Sequence, residues 1–129
     1  MRILVTIICS ALALSGLALL TDIKVEAAGA IAIGKCNRVG YSYDYPSQGA
    51  AERRALSECR ANGDRTCQVV VTIHRSCGAF AVSGPGGCSA RGWSYAETRA
   101  RAENIALGQC RKYGGSSCRV QAWVCDAGP

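Results

Sequence analysis

The chain has 129 residues, 49% of them hydrophobic and 19% charged, with a formal net charge of +6 and nine cysteines. That length excludes an assembly of several domains and accommodates one. The basic balance points away from cationic partners and toward anionic envelope polymers, acidic lipid headgroups or an acidic protein.

The first segment reads as a leader. After Met1-Arg2, an apolar run from Ile3 to Leu20 is broken only by Thr6, Ser10, Ser15 and Gly16. Val25-Glu26-Ala27 then supplies the small-x-small pattern of a signal-peptidase site, so residues 1–27 are expected to be a signal peptide cleaved after Ala27. The competing reading is a retained anchor, since the run is just long enough to cross a bilayer. Residues 28–129 are expected to form a single disulfide-rich domain with no membrane span, secreted or periplasmic. The leader takes two basic residues (Arg2, Lys24), two acidic ones (Asp22, Glu26) and Cys9 with it, so the charge stays at +6 and eight cysteines remain. An even count in an exported chain points to a disulfide framework.

Two internal repeats, 29–77 and 78–125, organise the domain. Ala51-Glu52-Arg53-Arg54-Ala55-Leu56-Ser57-Glu58-Cys59-Arg60 recurs as Ala102-Glu103-Asn104-Ile105-Ala106-Leu107-Gly108-Gln109-Cys110-Arg111. Gly63 and Cys67 return as Gly114 and Cys118, and Gly40-Tyr41-Ser42-Tyr43 as Gly92-Trp93-Ser94-Tyr95. Each repeat is read as strand, loop, helix, strand. The opening strands are Ala30-Ile31-Ala32-Ile33 and Ala79-Phe80-Ala81-Val82, short apolar runs that periodicity alone leaves ambiguous. Gly- and Tyr-rich loops follow at 34–46 and 83–93. The first helix is expected to start near Ser47, and the second at a capping box formed by Ser94-Tyr95-Ala96-Glu97. In the closing strands Cys67, Val69, Val71 and Ile73 alternate with Gln68, Val70, Thr72 and His74, and Cys118, Val120, Ala122 and Val124 with Arg119, Gln121, Trp123 and Cys125, which predicts one apolar face per strand. The expected fold is α+β and disulfide-stabilised: duplicated β-α-β units, in the order β-α-β-β-α-β, forming one sheet with two helices on one face.

The duplication prunes the 105 pairings open to eight cysteines. Cys59 and Cys67 flank a short turn between a helix end and a strand start, and Cys110 and Cys118 repeat the arrangement, so Cys59–Cys67 and Cys110–Cys118 are expected. The other four allow Cys36–Cys88 with Cys77–Cys125, tying the repeats together, or Cys36–Cys77 with Cys88–Cys125, closing each repeat on itself. The first is preferred, because strands ending at Cys77 and Cys125 can be neighbours near a symmetry axis.

Little catalytic chemistry is visible. His74, the single histidine, ends a strand and reads as a surface or structural residue. Glu52 and Glu103 occupy equivalent helix positions that would suit a carboxylate pair for hydrolysis, but early helix positions favour acids for electrostatic reasons alone. No Cys-x-x-Cys pair, P-loop or nucleophile elbow is present. No catalytic residue, metal or cofactor is expected. The arginines are scattered from Arg38 to Arg119 rather than clustered, and with no recognition motif or aromatic-basic stripe nucleic acid is not an expected partner. The best lead is aromatic: Tyr41, Tyr43 and Tyr45 in one copy, Trp93 and Tyr95 in the other, precede the helices at matched places. Such residues are enriched at binding surfaces but also pack over helix starts.

The duplicated Ala-Glu-x-x-Ala-Leu-x-x-Cys, the Gly-x-x-x-Cys from Gly63 to Cys67, the junction Cys77-Gly78-Ala79-x-Ala81-Val82 and the closing Trp123-Val124-Cys125 resemble the bacterial family called domain of unknown function 4189. The resemblance covers nearly all of 29–125. It implies a small exported protein, implies no catalytic residues, and marks Cys36 and Cys88 as an extra cysteine pair. The reading that follows is a secreted or periplasmic, non-enzymatic binding domain whose partner is a protein or an anionic envelope component. The alternative is a small inhibitor or immunity-type protein acting on an envelope enzyme, and a hydrolase using Glu52, Glu103 or His74 comes third.

Overall fold

A computed structural model describes residues 27–61 and 63–126, so the expected leader, apart from Ala27, lies outside the described residues. The elements are β1 (Ala28–Ile33), β2 (Val39–Tyr45), α1 (Gln48–Cys59), β3 (Gln68–His74), β4 (Cys77–Ser83), a short 3-10 turn (Pro85–Gly87), β5 (Ala90–Ala96), α2 (Arg99–Lys112) and β6 (Arg119–Cys125).

The layering follows from an alternation of small and large residues in β1 and β4, whose every residue is buried. Successive side chains of a strand point to opposite faces. Ala28, Ala30 and Ala32 cluster with Ala51, Ala55 and Cys59 of α1, while Ile31 and Ile33 face Phe80, Val82 and Val124. Ala79 and Ala81 in turn pack with Ala102, Ala106 and Cys110 of α2. Small side chains let a helix settle closely on each sheet, and the large ones fill the space between sheets.

The α+β class and the two helices stand, but the single sheet does not. Two three-stranded antiparallel sheets, in the orders β2-β1-β3 and β5-β4-β6, pack face to face with one helix outside each. Between them β1 lies against β4, β2 against β6 and β3 against β5. Much of the 34–46 and 83–93 segments, expected to be loops, is strand β2 and strand β5, so the order β-β-α-β occurs twice. The junction is Arg75-Ser76, and Cys77 opens the second unit rather than closing the first.

Bulges explain why one apolar face per closing strand was the wrong expectation. Ile31 pairs with Val71 but Ala32 with Val69, so Val70 is an extra residue. Beyond it the side chains change face: Cys67 and Val69 pack toward α1, Val71 and Ile73 toward the other sheet. The same shift occurs at Gln121, because Phe80 pairs with Ala122 and Ala81 with Val120. A third irregularity has no counterpart. Between Ala28↔Tyr45 and Ala30↔Ser42, Tyr43 and Asp44 oppose Gly29 alone, whereas Gly78 pairs one-to-one with Tyr95. Asp44 takes a positive φ of 58° there, and its N–H donates to the Asp126 carbonyl at 2.8 Å, linking the two sheets.

Helix α1 is capped by Ser47, which accepts from the Ala50 N–H at 3.2 Å. The capping box expected at Ser94 does not form; Thr98 caps α2, accepting from the Arg101 N–H at 3.3 Å. Ser94 is instead a buried residue of β5 whose hydroxyl donates to the Ala102 carbonyl at 2.6 Å, as Ser42 in β2 donates to Ala51 at 2.6 Å. Each serine fastens an edge strand to its helix. Replacing Ser94 with alanine removes one buried hydrogen bond and is expected to cost about 1 kcal/mol in urea unfolding. The Ser42→Ala change should add a similar, independent loss, because the two latches lie on different helices.

Four disulfides close the described chain: Cys36–Cys88, Cys59–Cys67, Cys77–Cys125 and Cys110–Cys118. Cys77 and Cys125 are directly paired residues of β4 and β6, so that bridge lies within the second unit rather than between units, as the preferred pairing had supposed. Cys36–Cys88 alone joins the two units.

Candidate functional site

The strand directions sort the connections between two ends of the molecule. The β1–β2, α1–β3, β4–β5 and α2–β6 connections share one end. There the Lys35 N–H donates to the Asp64 carboxylate at 3.0 Å, the Asn37 N–H to the Gly86 carbonyl at 3.1 Å, and the Arg91 guanidinium to the Gly34 carbonyl. With Cys36–Cys88, the last two contacts bind the two units at this end, while the first fastens two connections of the first unit to each other.

This end gathers the arginines that look scattered in the sequence. Lys35 and Arg38 come from the first connection, Arg60 and Arg65 from the second, Arg91 from the start of β5, Arg111 and Lys112 from the end of α2, and Arg119 from the start of β6. None of these eight is ion-paired among the described residues; the helix pairs are Arg54–Glu58 and Arg99–Glu103, both at 2.7 Å. Asp64 lies beside them, and so does Glu58, in the last turn of α1 at the position Gln109 holds in α2, where it is paired with Arg54. The rest of the described chain carries five basic residues (Arg53, Arg54, Arg75, Arg99, Arg101) and five acidic ones (Asp44, Glu52, Glu97, Glu103, Asp126). Eight cations less two anions give this end +6 and the remainder 0, which together make the +6 of the whole. Asp64 is spoken for internally. The Thr66 hydroxyl, the Thr66 N–H and the Lys35 N–H all donate to it, and these bonds, helped by the Lys35 charge, hold its carboxyl below the ordinary aspartate value.

The structure places the predicted aromatic residues on the two edge strands β2 and β5. Tyr41 and Tyr43 are 39% and 40% exposed, Trp93 and Tyr95 36% and 68%. Because β2 lies over β6 and β5 over β3, the two pairs stand at different edges of the sandwich and do not form one site. Tyr41, Tyr43 and Tyr45 line a cleft of about 470 Å³ with Arg54 and Glu58. Trp93 is placed differently. Together with Arg91 it borders two cavities, one of about 400 Å³ with Ser89, Gln109 and Tyr113, the other of about 310 Å³ with Lys35, Thr66, Gln68 and Val70. Helix side chains cover each edge strand at matched points: Glu58 accepts from the Tyr41 N–H at 3.4 Å, and Gln109 from the Trp93 N–H at 3.3 Å. A covered edge does not template pairing with another strand at that point.

The catalytic candidates are not brought together. Glu52 and Glu103 belong to helices on opposite outer faces, with both sheets between them. Glu103 is bonded to Arg99, whose guanidinium also stacks 3.6 Å from the centre of the Trp123 ring. His74 is exposed at the end of β3, away from the basic end. Among the described residues no three His, Cys, Asp or Glu side chains gather where a metal ion could be held, and no helix is long and apolar enough to cross a membrane. What the surface offers chemically is unpaired cations beside an exposed indole. Sequence reasoning missed Arg91, Gln109 and Tyr113, and with them the basic end. The available signal was topological: in a β-β-α-β unit, alternate connections share an end.

Residues 28–125 match the family described as Domain of unknown function (DUF4189). No curated protein and no solved structure matches the chain. With 28–125 covering most of its length, the chain belongs to that family.

Proposed function

We propose that this protein is an exported, disulfide-reinforced, non-enzymatic binding module whose basic end docks on an anionic partner in the periplasm or outside the cell. The observation that carries this reading is the charge segregation: +6 at one end against 0 over the remainder. Like charges crowded with few counter-ions raise the local potential and destabilise the fold slightly, so their arrangement is better matched to a ligand than to folding. Four disulfides suit an oxidising compartment. Cleavage after Ala27 would leave β1, which begins at Ala28, intact.

The test uses the oxidised mature protein. It is expected to bind dextran sulfate and not neutral dextran, with an affinity that falls steeply as salt rises because bound counter-ions are released. Equal retention by the two dextrans, or binding indifferent to salt, would refute the reading.

A further inference from the structure

The two units treat their edge strands differently, and the difference is chemical. Arg91 stands where the first unit has Val39, Trp93 where it has Tyr41, and Gln109 where it has Glu58. In the first unit the cleft along the edge strand contains two carboxylates, Asp44 and Glu58, the second already paired with Arg54. In the second unit a cleft at the start of the edge strand, which shares with the first only the positions of Trp93 and Gln109, has no acid at all: its wall includes Arg91, Trp93, Gln109, Tyr113 and Ser89. One position thus changes from anionic to neutral, a second gains a cation, and a third gains the largest aromatic side chain.

We propose that the cleft beside Trp93 binds an acidic saccharide, a sugar unit bearing a carboxylate. This rests on the reading that the basic end takes an anionic partner, and it names the chemistry of that partner. A sugar ring has an apolar C–H face and a rim of hydroxyls, which need a flat apolar surface and several hydrogen-bonding groups around it. Trp93 supplies the surface. The Gln109 amide nitrogen, the Ser89 and Tyr113 hydroxyls and the Arg91 guanidinium supply the rim. Gln109 uses its oxygen on the Trp93 backbone N–H, which leaves its NH2 group as a donor for a ligand. Arg91 commits one nitrogen to the Gly34 carbonyl, which orients the guanidinium and leaves its other donors for a carboxylate. The cavity, about 400 Å³, is of the size that holds a small ligand. On the other side of Trp93 the second cavity continues the surface past Lys35, so a chain of acidic sugars meets a further cation after the stacked unit.

Titrating the oxidised mature protein with tetragalacturonate, followed by calorimetry and tryptophan fluorescence, tests this. Trp123 serves as an internal reference, since it lies under Arg99 on the far side of β6. Wild type is expected to bind tetragalacturonate and quench Trp93, and Trp93→Ala to lose at least tenfold in affinity, with Trp93→Tyr intermediate. Tyr113→Ala, at a residue 69% exposed and free of core packing, is expected to lose several-fold with an unchanged melting curve. Inorganic polyphosphate should bind wild type and Trp93→Ala alike, through the basic end as a whole. If tetragalacturonate also binds the two alike, the cleft has no part in recognition and the saccharide inference fails while the basic-end reading survives. Trp93-dependent binding that favours an oligothymidylate over tetragalacturonate would overturn it in favour of nucleobase stacking. Failure to bind either polyanion would remove both readings.

Discussion

Full reduction of the disulfides is expected to abolish the cooperative thermal transition of the domain. The bridges Cys59–Cys67 and Cys110–Cys118 each span 8 residues, Cys77–Cys125 spans 48 and Cys36–Cys88 spans 52. Loop-closure entropy gives about 2.5 kcal/mol for each short loop and about 4 kcal/mol for each long one. The long loops overlap in sequence, so their contributions fall short of a simple sum, yet the total still rivals the roughly 5–15 kcal/mol that typical domains possess. The helix-facing layers of the core offer little to offset the loss, since they are largely alanine and cysteine, and the large apolar side chains are confined to the layer between the sheets. Melting followed by circular dichroism with and without a phosphine reductant reads the effect. The single bridge to remove first is Cys36–Cys88, whose sulfurs sit near the surface, so a Cys36→Ala/Cys88→Ala variant changes mainly the unfolded chain. It is expected to melt well below wild type while keeping its folded spectrum. A reduced protein that melts at the oxidised temperature would contradict this account of its stability.

Glycine at two strand positions is expected to matter nearly as much. A Cβ at position 92 would overlap the Ala106 carbonyl oxygen and lie 2.6 Å from the Cys110 nitrogen; one at position 40 would overlap the Ala55 oxygen and the Cys59 nitrogen. These atoms are helix backbone, which cannot rotate aside as a side chain can. The helix must lift off, opening its alanine contacts and the serine latch beside it. Overpacking ordinarily costs 1–3 kcal/mol, and Gly92→Ala or Gly40→Ala belongs at the upper limit, about 3 kcal/mol, or a melting temperature lowered by roughly 12–24 °C for a domain of this size. Gly108→Ala provides the opposite sign. Nothing lies within 4 Å of a Cβ there, in the middle of α2, so the better helix former is expected to stabilise by about 0.5–1 kcal/mol. Denaturant curves on the three variants settle it; a neutral Gly92→Ala would mean the helix does not sit on β5 as described.

Those glycines also show how much of the fold was readable. Both helices follow from local signals, the recurring alanines and Ser47 ahead of the first. Cys59 and Cys67 stand across one short turn, so their proximity is a property of the local chain. β2 and β5 were obscured because Gly-x-Ser alternating with aromatics has the composition of a loop; its period of two is a strand's, with the small residues facing a helix that comes too close for anything larger. The second sheet was obscured by Val70 and Gln121. One inserted residue moves every later side chain to the other face, and periodicity carries no mark of it. The extra Asp44 did leave a trace: the repeats are offset by 52 residues at Tyr41 and Trp93 but by 51 at the helices. The basic end arises only when four separate connections meet, so no single stretch announces it.

The most direct test of the central claim compares two variants of equal net charge. Lys35→Glu/Lys112→Glu alters the basic end, and Arg53→Glu/Arg101→Glu alters exposed positions elsewhere on the helices. Measured against dextran sulfate in one buffer, the first is expected to weaken binding at least tenfold more than the second. Equal losses in the two variants would mean that overall charge, and not one assembled surface, attracts the polymer.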